Sequence, residues 1–213
     1  MKLSGKREMG SGGYVICELD AVQREFPDYQ RAFAELETRV LELCNADWAP
    51  KRFARGLAVG PNEYGRTTIL PALFDDHAGN QMVTWRQTFT STGHQLLISG
   101  TRAGNVIPED FKVAWIGLAF PNKNQHITEI KFQIGDRKYG RINLEELKSY
   151  NVPAVIFEKG FIIDEEQSFE LYGYVDGPLP ESTGDVIYQR IVMLGACYFK
   201  VVDKVLGLPG SAI

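Results

Sequence analysis

Asp75-Asp76-His77 is a stretch of the sequence in which carboxylates adjoin a histidine. Side chains of these types could bind a metal ion or work as an acid–base pair. Neighbouring side chains on a strand point to opposite faces, however, so adjacency alone does not build such a site. Because the stretch follows the mostly apolar residues 70–74, we interpret it as a polar turn.

Two other histidines and a second acidic stretch could also bind metal ions or take part in catalysis. His94 and His126 each lie next to a turn, and both are predicted to be solvated. Asp164-Glu165-Glu166 could bind a hard cation such as calcium, which takes several oxygen ligands. Three consecutive side chains cannot all point inward, and no EF-hand spacing follows them. This stretch is therefore also predicted to be a solvated turn.

The cysteines, Cys17, Cys44 and Cys197, are scattered and odd in number. They form no Cys-x-x-Cys pair and no disulfide framework, which favours a reducing compartment. A nucleophilic cysteine would need a basic partner, and the sequence identifies none. We predict that all three are core or semi-buried thiols.

Sequence motifs for catalysis are absent: we find no phosphate-binding loop, Gly-x-Ser-x-Gly elbow or His-Glu-x-x-His helix. Lys51-Arg52-Phe53-Ala54-Arg55 places an aromatic ring among basic residues, which suits single-stranded nucleic acid, and Lys2, Lys6 and Arg7 add charge. The net charge of -4 favours a solvated loop instead, with weak or absent nucleic-acid contact. The sequence assigns no catalytic, cofactor-binding or metal-binding residue, and it predicts that the chain is not an enzyme.

One strong helical pattern runs from Asp28 to Cys44. Asp28 can cap the first turn, and apolar residues at helical spacing make one stripe. Asn45 is expected to end the helix in the left-handed conformation. The stripe must cover another element, and the downstream sheet is the expected partner.

From Thr67 onward the patterning becomes that of strands. Residues 113–120 form a continuous apolar run, typical of a strand buried on both faces. Residues 130–134 and 168–175 alternate apolar with polar side chains, typical of strands with one solvated face. We predict about eight strands, spaced about ten residues apart, in a mainly β, antiparallel, jelly-roll-like sandwich preceded by one amphipathic helix.

This pattern divides the chain of 213 residues into four parts. They are a flexible N-terminal arm (1–13), a helical and loop segment packed on the sandwich (14–65), the sandwich itself (66–205) and a C-terminal tail (206–213). We expect no signal peptide, because no apolar segment follows the charged N-terminus. We also expect no membrane span, since no stretch reaches the required length of about 18 uncharged apolar residues.

The layout of arm, helix, β domain and tail resembles that of single jelly-roll coat proteins of icosahedral viruses, over roughly residues 66–205. The resemblance implies a structural, self-assembling capsid subunit. Its partners would be copies of itself and possible other structural proteins, and its location would be the virion; otherwise the chain is expected in the cytoplasm.

Two alternatives stay open. The first is a ligand- or carbohydrate-binding β-sandwich module, in which Tyr172 and Tyr174 on one exposed face, with Trp85 or Trp115 nearby, would form a sugar platform. The second is a cupin-like metal enzyme, which needs a metal cluster. The histidines lack the close pairing that such a cluster usually shows.

Overall fold

The computed structural model describes residues 7–9, 12–48, 64–122, 124–177 and 186–200. The helices are α1 (Val22–Glu25) and α2 (Tyr29–Trp48), with short 3-10 helices at Leu19–Ala21, Pro71–Leu73 and Glu145–Ser149. The strands are β1 (Arg7–Met9), β2 (Gly12–Glu18), β3 (Tyr64–Thr68), β4 (Phe74–Asp75), β5 (Arg86–Phe89), β6 (Gly93–Gly100), β7 (Phe111–Ala119), β8 (Ile127–Ile134), β9 (Arg137–Asn143), β10 (Pro153–Ile163), β11 (Phe169–Val175), β12 (Ile187–Arg190) and β13 (Val192–Lys200).

Two antiparallel sheets face each other. Sheet A has the order β1-β2-β10-β7-β13-β3, and sheet B has the order β4-β6-β11-β8-β9; β12 and β5 form a small separate pair. Eight main strands remain when the count starts at β3 and leaves out β4, β5 and β12: they are β3, β6, β7, β8, β9, β10, β11 and β13. Numbered 1 to 8 in this order, they lie in the order 1-8-3-6 in sheet A and 2-7-4-5 in sheet B. This is the jelly-roll arrangement of two Greek keys. The prediction of a mainly β, antiparallel sandwich with a preceding helix is therefore confirmed.

Strand β7 lies at the centre of the molecule, and all nine of its residues are buried. Trp115 points into the core between the sheets, where the rings of Phe132, Phe157 and Phe169 surround it at 4.8–5.3 Å. The alternate side chains, such as Ile116, point to the opposite face and pack with helix α2. The continuous apolar run of the sequence is thus explained by a sheet that is covered on both sides.

Helix α2 covers the outer face of sheet A with one stripe. Leu36, Val40, Cys44 and Trp48, each four residues apart, are all buried. The prediction that Asn45 ends the helix is wrong, because the helix continues to Trp48. Tertiary contacts explain the extension: Trp48 is the next member of the stripe, and burying it stabilises the last turn.

The N-terminal residues contribute strands that the sequence pattern did not indicate. Of the residues assigned to a flexible arm (1–13), residues 7–9 lie in β1, and residues 12 and 13 begin β2. Strand β2 pairs with β10 in the register Val15↔Ile156. Part of the arm and the start of the helical segment (14–65) therefore extend sheet A.

Two stretches of the chain form short or divided strands. In the stretch 82–90 only Arg86–Phe89 forms a strand, and Val83 is 90% exposed. The stretch 186–200 contains two strands, β12 and β13, separated at Ile191. At Gly195 the register of β13 shifts and φ is +147°, a conformation that side chains disfavour.

Candidate functional site

Asp75 ends strand β4, and Asp76 and His77 begin the turn that follows it, so the predicted polar turn starts one residue later than expected. Asp76 Oδ1 accepts hydrogen bonds from the backbone N–H groups of Ala78, at 2.8 Å, and of Asn80, at 2.9 Å. The His77 ring packs against Phe89 with a centroid distance of 4.9 Å. The carboxylate of Asp76 therefore stabilises the backbone of the turn.

The other histidines do not join a common site. The His94 ring makes an edge contact with Tyr174, whereas the backbone N–H of His126 donates to Gln189 Oε1 at 3.1 Å. Within the described residues, the groups of three or more possible metal ligands that lie close enough to share an ion include no histidine. The basic segment 51–55 lies outside the described residues, as do Lys2 and Lys6.

The three cysteines are buried and free, in agreement with the sequence prediction. Burial raises the pKa of Cys17 and of Cys44 to about 11, and that of Cys197 to about 12. A thiol with such a pKa is almost entirely protonated at neutral pH and is a poor nucleophile. The cysteines therefore act as small apolar residues of the core.

One group of charged residues surrounds a buried ammonium. We call it the lysine cluster: Lys112, Asp47, Asp164, Glu165 and Trp48. The Lys112 side chain is fully buried. Its Nζ donates to Asp47 Oδ2 at 2.7 Å, to Asp164 Oδ1, and to Glu165 Oε1 at 3.4 Å. Trp48 Nε1 donates to both carboxylate oxygens of Glu165 at 3.1 Å.

Three elements bring the lysine cluster together. Asp47 and Trp48 end helix α2, Lys112 is the second residue of β7, and Asp164 and Glu165 begin the turn between β10 and β11. The cluster therefore fastens the end of the helix to the sandwich. Its carboxylate oxygens lie close enough to one another to hold a metal ion, but the ammonium of Lys112 already contacts all three groups.

Burial alone would lower the pKa of Lys112, but its hydrogen bonds to Asp164 and Asp47 raise the pKa to about 12. Lys112 is consequently a permanent cation at neutral pH. The sequence did contain a signal for this cluster. Because alternate residues of a strand share one face, Lys112 lies on the same face of β7 as Ala114 and Ile116, which pack against the helix. A charged residue at such a position needs buried partners, and the acidic turn supplies two of them.

A second feature is a groove on the outer face of sheet B, which we call the sheet B groove. The cavity has a volume of about 350 Å³ and is lined by Lys131, Phe132, Gln133, Lys138, Tyr139 and Tyr172. Lys131 lies opposite Tyr172 in the register of β8 and β11, and its Nζ stands 5.4 Å from the centroid of the Tyr172 ring. Gln133 lies opposite Lys138 of β9.

The tryptophans proposed for a sugar platform lie elsewhere. Trp115 is fully buried between the sheets, and Trp85 packs against Phe74 with a centroid distance of 6.0 Å. Tyr174 is 38% exposed and stands on the same outer face as Tyr172. The predicted placement of the two tyrosines on one face therefore agrees with the structure, while Trp115 cannot contribute to an exposed platform.

A third feature is formed by the paired strands β5 and β12, which Asn122 ties to the end of β7, and by the residues just before β5. We call it the end patch: Val83, Arg86 and Tyr188. Val83 is 90% exposed and Tyr188 is 51% exposed. The Arg86 guanidinium lies 4.9 Å from the centroid of the Tyr188 ring. Asn122, just after β7, fixes the strand that carries Tyr188 by donating to the Tyr188 carbonyl at 3.2 Å.

Comparisons of this chain with protein-family models, with curated proteins and with solved structures gave no match. Among the described residues, no helix combines the length and the apolar character needed to cross a membrane. The functional inference is therefore based on the fold, the lysine cluster, the sheet B groove and the end patch.

Proposed function

We propose that this chain is a self-assembling structural subunit, most concretely the coat protein of an icosahedral particle. The observation that carries the proposal is the strand order, in which sheets 1-8-3-6 and 2-7-4-5 make a single jelly roll. Viral coat proteins use this architecture widely, although lectin and cupin domains share it. The partners would be copies of the chain and other structural proteins of the same particle, and the location would be the virion.

The end patch supports the assembly proposal. Large apolar side chains that stay exposed at one place on a folded domain often mark contacts with another protein. Val83 and Tyr188 are the two most exposed among the large apolar side chains of the described residues. The Tyr188 ring is held by the Arg86 guanidinium, so it could meet a second copy without a large loss of side-chain entropy.

The charges on the edge strand of sheet B favour contacts between subunits that are made by side chains and not by pairing of strands. Strand β9 ends this sheet among the described strands, and it carries Arg137, Lys138 and Arg141. Charged residues on an edge strand disfavour its pairing with a strand of another chain. Subunits would therefore meet through surfaces such as the end patch, and continuous sheets across subunits are not expected here.

The proposal is tested by the particle size of the full chain. Size-exclusion chromatography with light scattering and electron microscopy should reveal closed particles or large homo-oligomers for the unaltered protein. Val83→Glu should shift the chain toward smaller species, because it places a charge in the contact. The matched control is Ala103→Glu, an exposed residue in the loop between β6 and β7 that is not part of the end patch. A strictly monomeric protein at high concentration would refute the proposal.

A second candidate function is ligand binding at the sheet B groove. The specific observation is a cavity of about 350 Å³ lined by aromatic residues together with Lys131 and Lys138. Concave sites of this size, with a few convergent polar groups, are typical of small-molecule binding. Binding and assembly are compatible, because the groove and the end patch are formed by different strands.

A further inference from the structure

The lining of the sheet B groove carries an excess of positive charge. Within the described residues, neither Lys131 nor Lys138 has a carboxylate oxygen within 4.0 Å of its ammonium. The nearby carboxylates on the same face have other partners. Glu129 pairs with Arg141 at 3.4 Å, and Glu170 accepts the hydrogen bond of the Tyr172 hydroxyl at 2.8 Å. An anion in the groove would therefore find two ammonium groups to pair with.

The groove also offers surfaces suited to a ring with hydroxyl groups. Tyr172 lines it with an aromatic ring, against which the C–H face of a sugar packs well. Tyr139 also lines the groove, but its ring is stacked on Phe132 at 4.6 Å. Gln133 Nε2 donates to the Gly135 carbonyl at 2.8 Å, which fixes the amide and leaves Oε1 to accept from a ligand hydroxyl. The cavity of about 350 Å³ matches one sugar unit better than an extended chain.

We propose that the sheet B groove binds an acidic sugar unit, with its carboxylate paired to Lys131 and Lys138 and its ring against Tyr172. The inference deepens the ligand-binding function above by naming the class of ligand, and it is independent of assembly through the end patch. The two lysines select for the carboxylate, because a neutral sugar of the same shape leaves both ammonium groups without a counter-ion.

A matched pair of ligands tests the inference. Methyl β-glucuronide and methyl β-glucoside differ only in the carboxylate at C6, and each is titrated into the full chain by isothermal calorimetry and by NMR. We expect the glucuronide to bind at least about tenfold more tightly than the glucoside, which corresponds to about 1.4 kcal/mol. Sodium sulfate is titrated in parallel as a simple anion without a ring.

Three variants locate the binding. Lys131→Gln and Lys138→Gln should each weaken glucuronide binding several-fold, whereas Lys148→Gln should not change it. Lys148 is the control because it is an exposed lysine in the 3-10 helix Glu145–Ser149, away from the groove lining. Circular dichroism spectra identical to that of the unaltered protein will show that the surface substitutions leave the fold intact.

The outcomes separate the class of ligand from binding itself. Equal binding of glucoside and glucuronide would overturn the acidic class while leaving a ligand-binding groove in place. Sulfate that binds as tightly as the glucuronide would reveal a simple anion site and would also overturn the inference. Binding of neither sugar would remove the ligand-binding function as well, and the particle-size experiment would be unaffected.

Discussion

Removal of the Lys112 ammonium tests how the end of helix α2 is held. Lys112→Met keeps the length of the buried side chain and removes its charge. Three carboxylates with oxygens within 4.8 Å of one another would then lack their common cation. Removing one partner of a buried ion pair typically costs about 3–5 kcal/mol. The side chains of Asp47, Asp164 and Glu165 are 43%, 36% and 25% exposed and can regain water, so we expect a loss of about 2–4 kcal/mol.

The assay is urea unfolding at pH 7, followed by tryptophan fluorescence and circular dichroism at two protein concentrations, which separates folding from assembly. The matched control is Lys200→Met, because Lys200 pairs with Asp110 at 3.5 Å with its side chain 36% exposed. An exposed pair contributes about 0–1 kcal/mol, so this control should change the stability little.

Partial removal of the cluster gives a graded result. Asp164→Asn leaves Lys112 with two carboxylates, and we expect a loss of about 1.5–2 kcal/mol, at the lower end of the range for hydrogen bonds to charged groups. Hydrogen exchange at the Trp48 backbone amide should accelerate in Lys112→Met, because the last turn of α2 loses the hydrogen bond between the Lys112 ammonium and Asp47. A loss below about 1 kcal/mol for Lys112→Met, or equal losses for Lys112→Met and Lys200→Met, would refute the role assigned to the cluster.

Three further predictions follow from the same structure. The pKa of Lys112 is raised from 10.5 to about 12 in the folded protein, so the stabilisation that its charge provides is complete below pH 10.5 and is lost as the pH rises through 12. In urea unfolding, the stabilities of the unaltered protein and of Lys112→Met should therefore converge between these pH values. A constant difference in stability would contradict this. Gly195→Ala should cost at least about 3 kcal/mol in the same assay, because a Cβ would lie 1.9 Å from the Ala114 carbonyl oxygen at a φ of +147°, and a near-neutral result would contradict it. The three buried cysteines should resist Ellman's reagent at pH 8 in the native protein and all react in denaturant; fast labelling of a native thiol would show that it is accessible.

The sequence predicted those elements whose burial follows a simple period. Strand β8 alternates buried and half-buried residues from Ile130 to Ile134, and the predicted alternation matches it. The 3-10 helix Glu145–Ser149 is local as well, since Asn143 Oδ1 accepts the backbone N–H of Glu145 at 2.8 Å at its start. In both cases the information is local, because a side chain and its near neighbours decide the conformation.

The lysine cluster could not be predicted by that route, because its members are far apart in the chain. Lys112 is 65 residues from Asp47 and 52 from Asp164. An acidic turn has the same local pattern whether water or a buried ammonium faces it, so the sequence alone predicts that Asp164 and Glu165 are solvated. The end of helix α2 was misplaced for a related reason: the contacts that extend it to Trp48 come from β7 and from the turn after β10.

Helix α2 also decides which surfaces of the sandwich remain for other molecules. Because it covers the outer face of sheet A, that face is occupied by the chain itself, and the lysine cluster keeps it so. The outer face of sheet B has no such cover among the described residues, and it holds the groove with Lys131 and Lys138. An assembling subunit of this design would use the end patch for contacts between copies, through residues such as Tyr188. It would keep one sheet face open, which is the arrangement that a particle with a ligand site on each subunit requires.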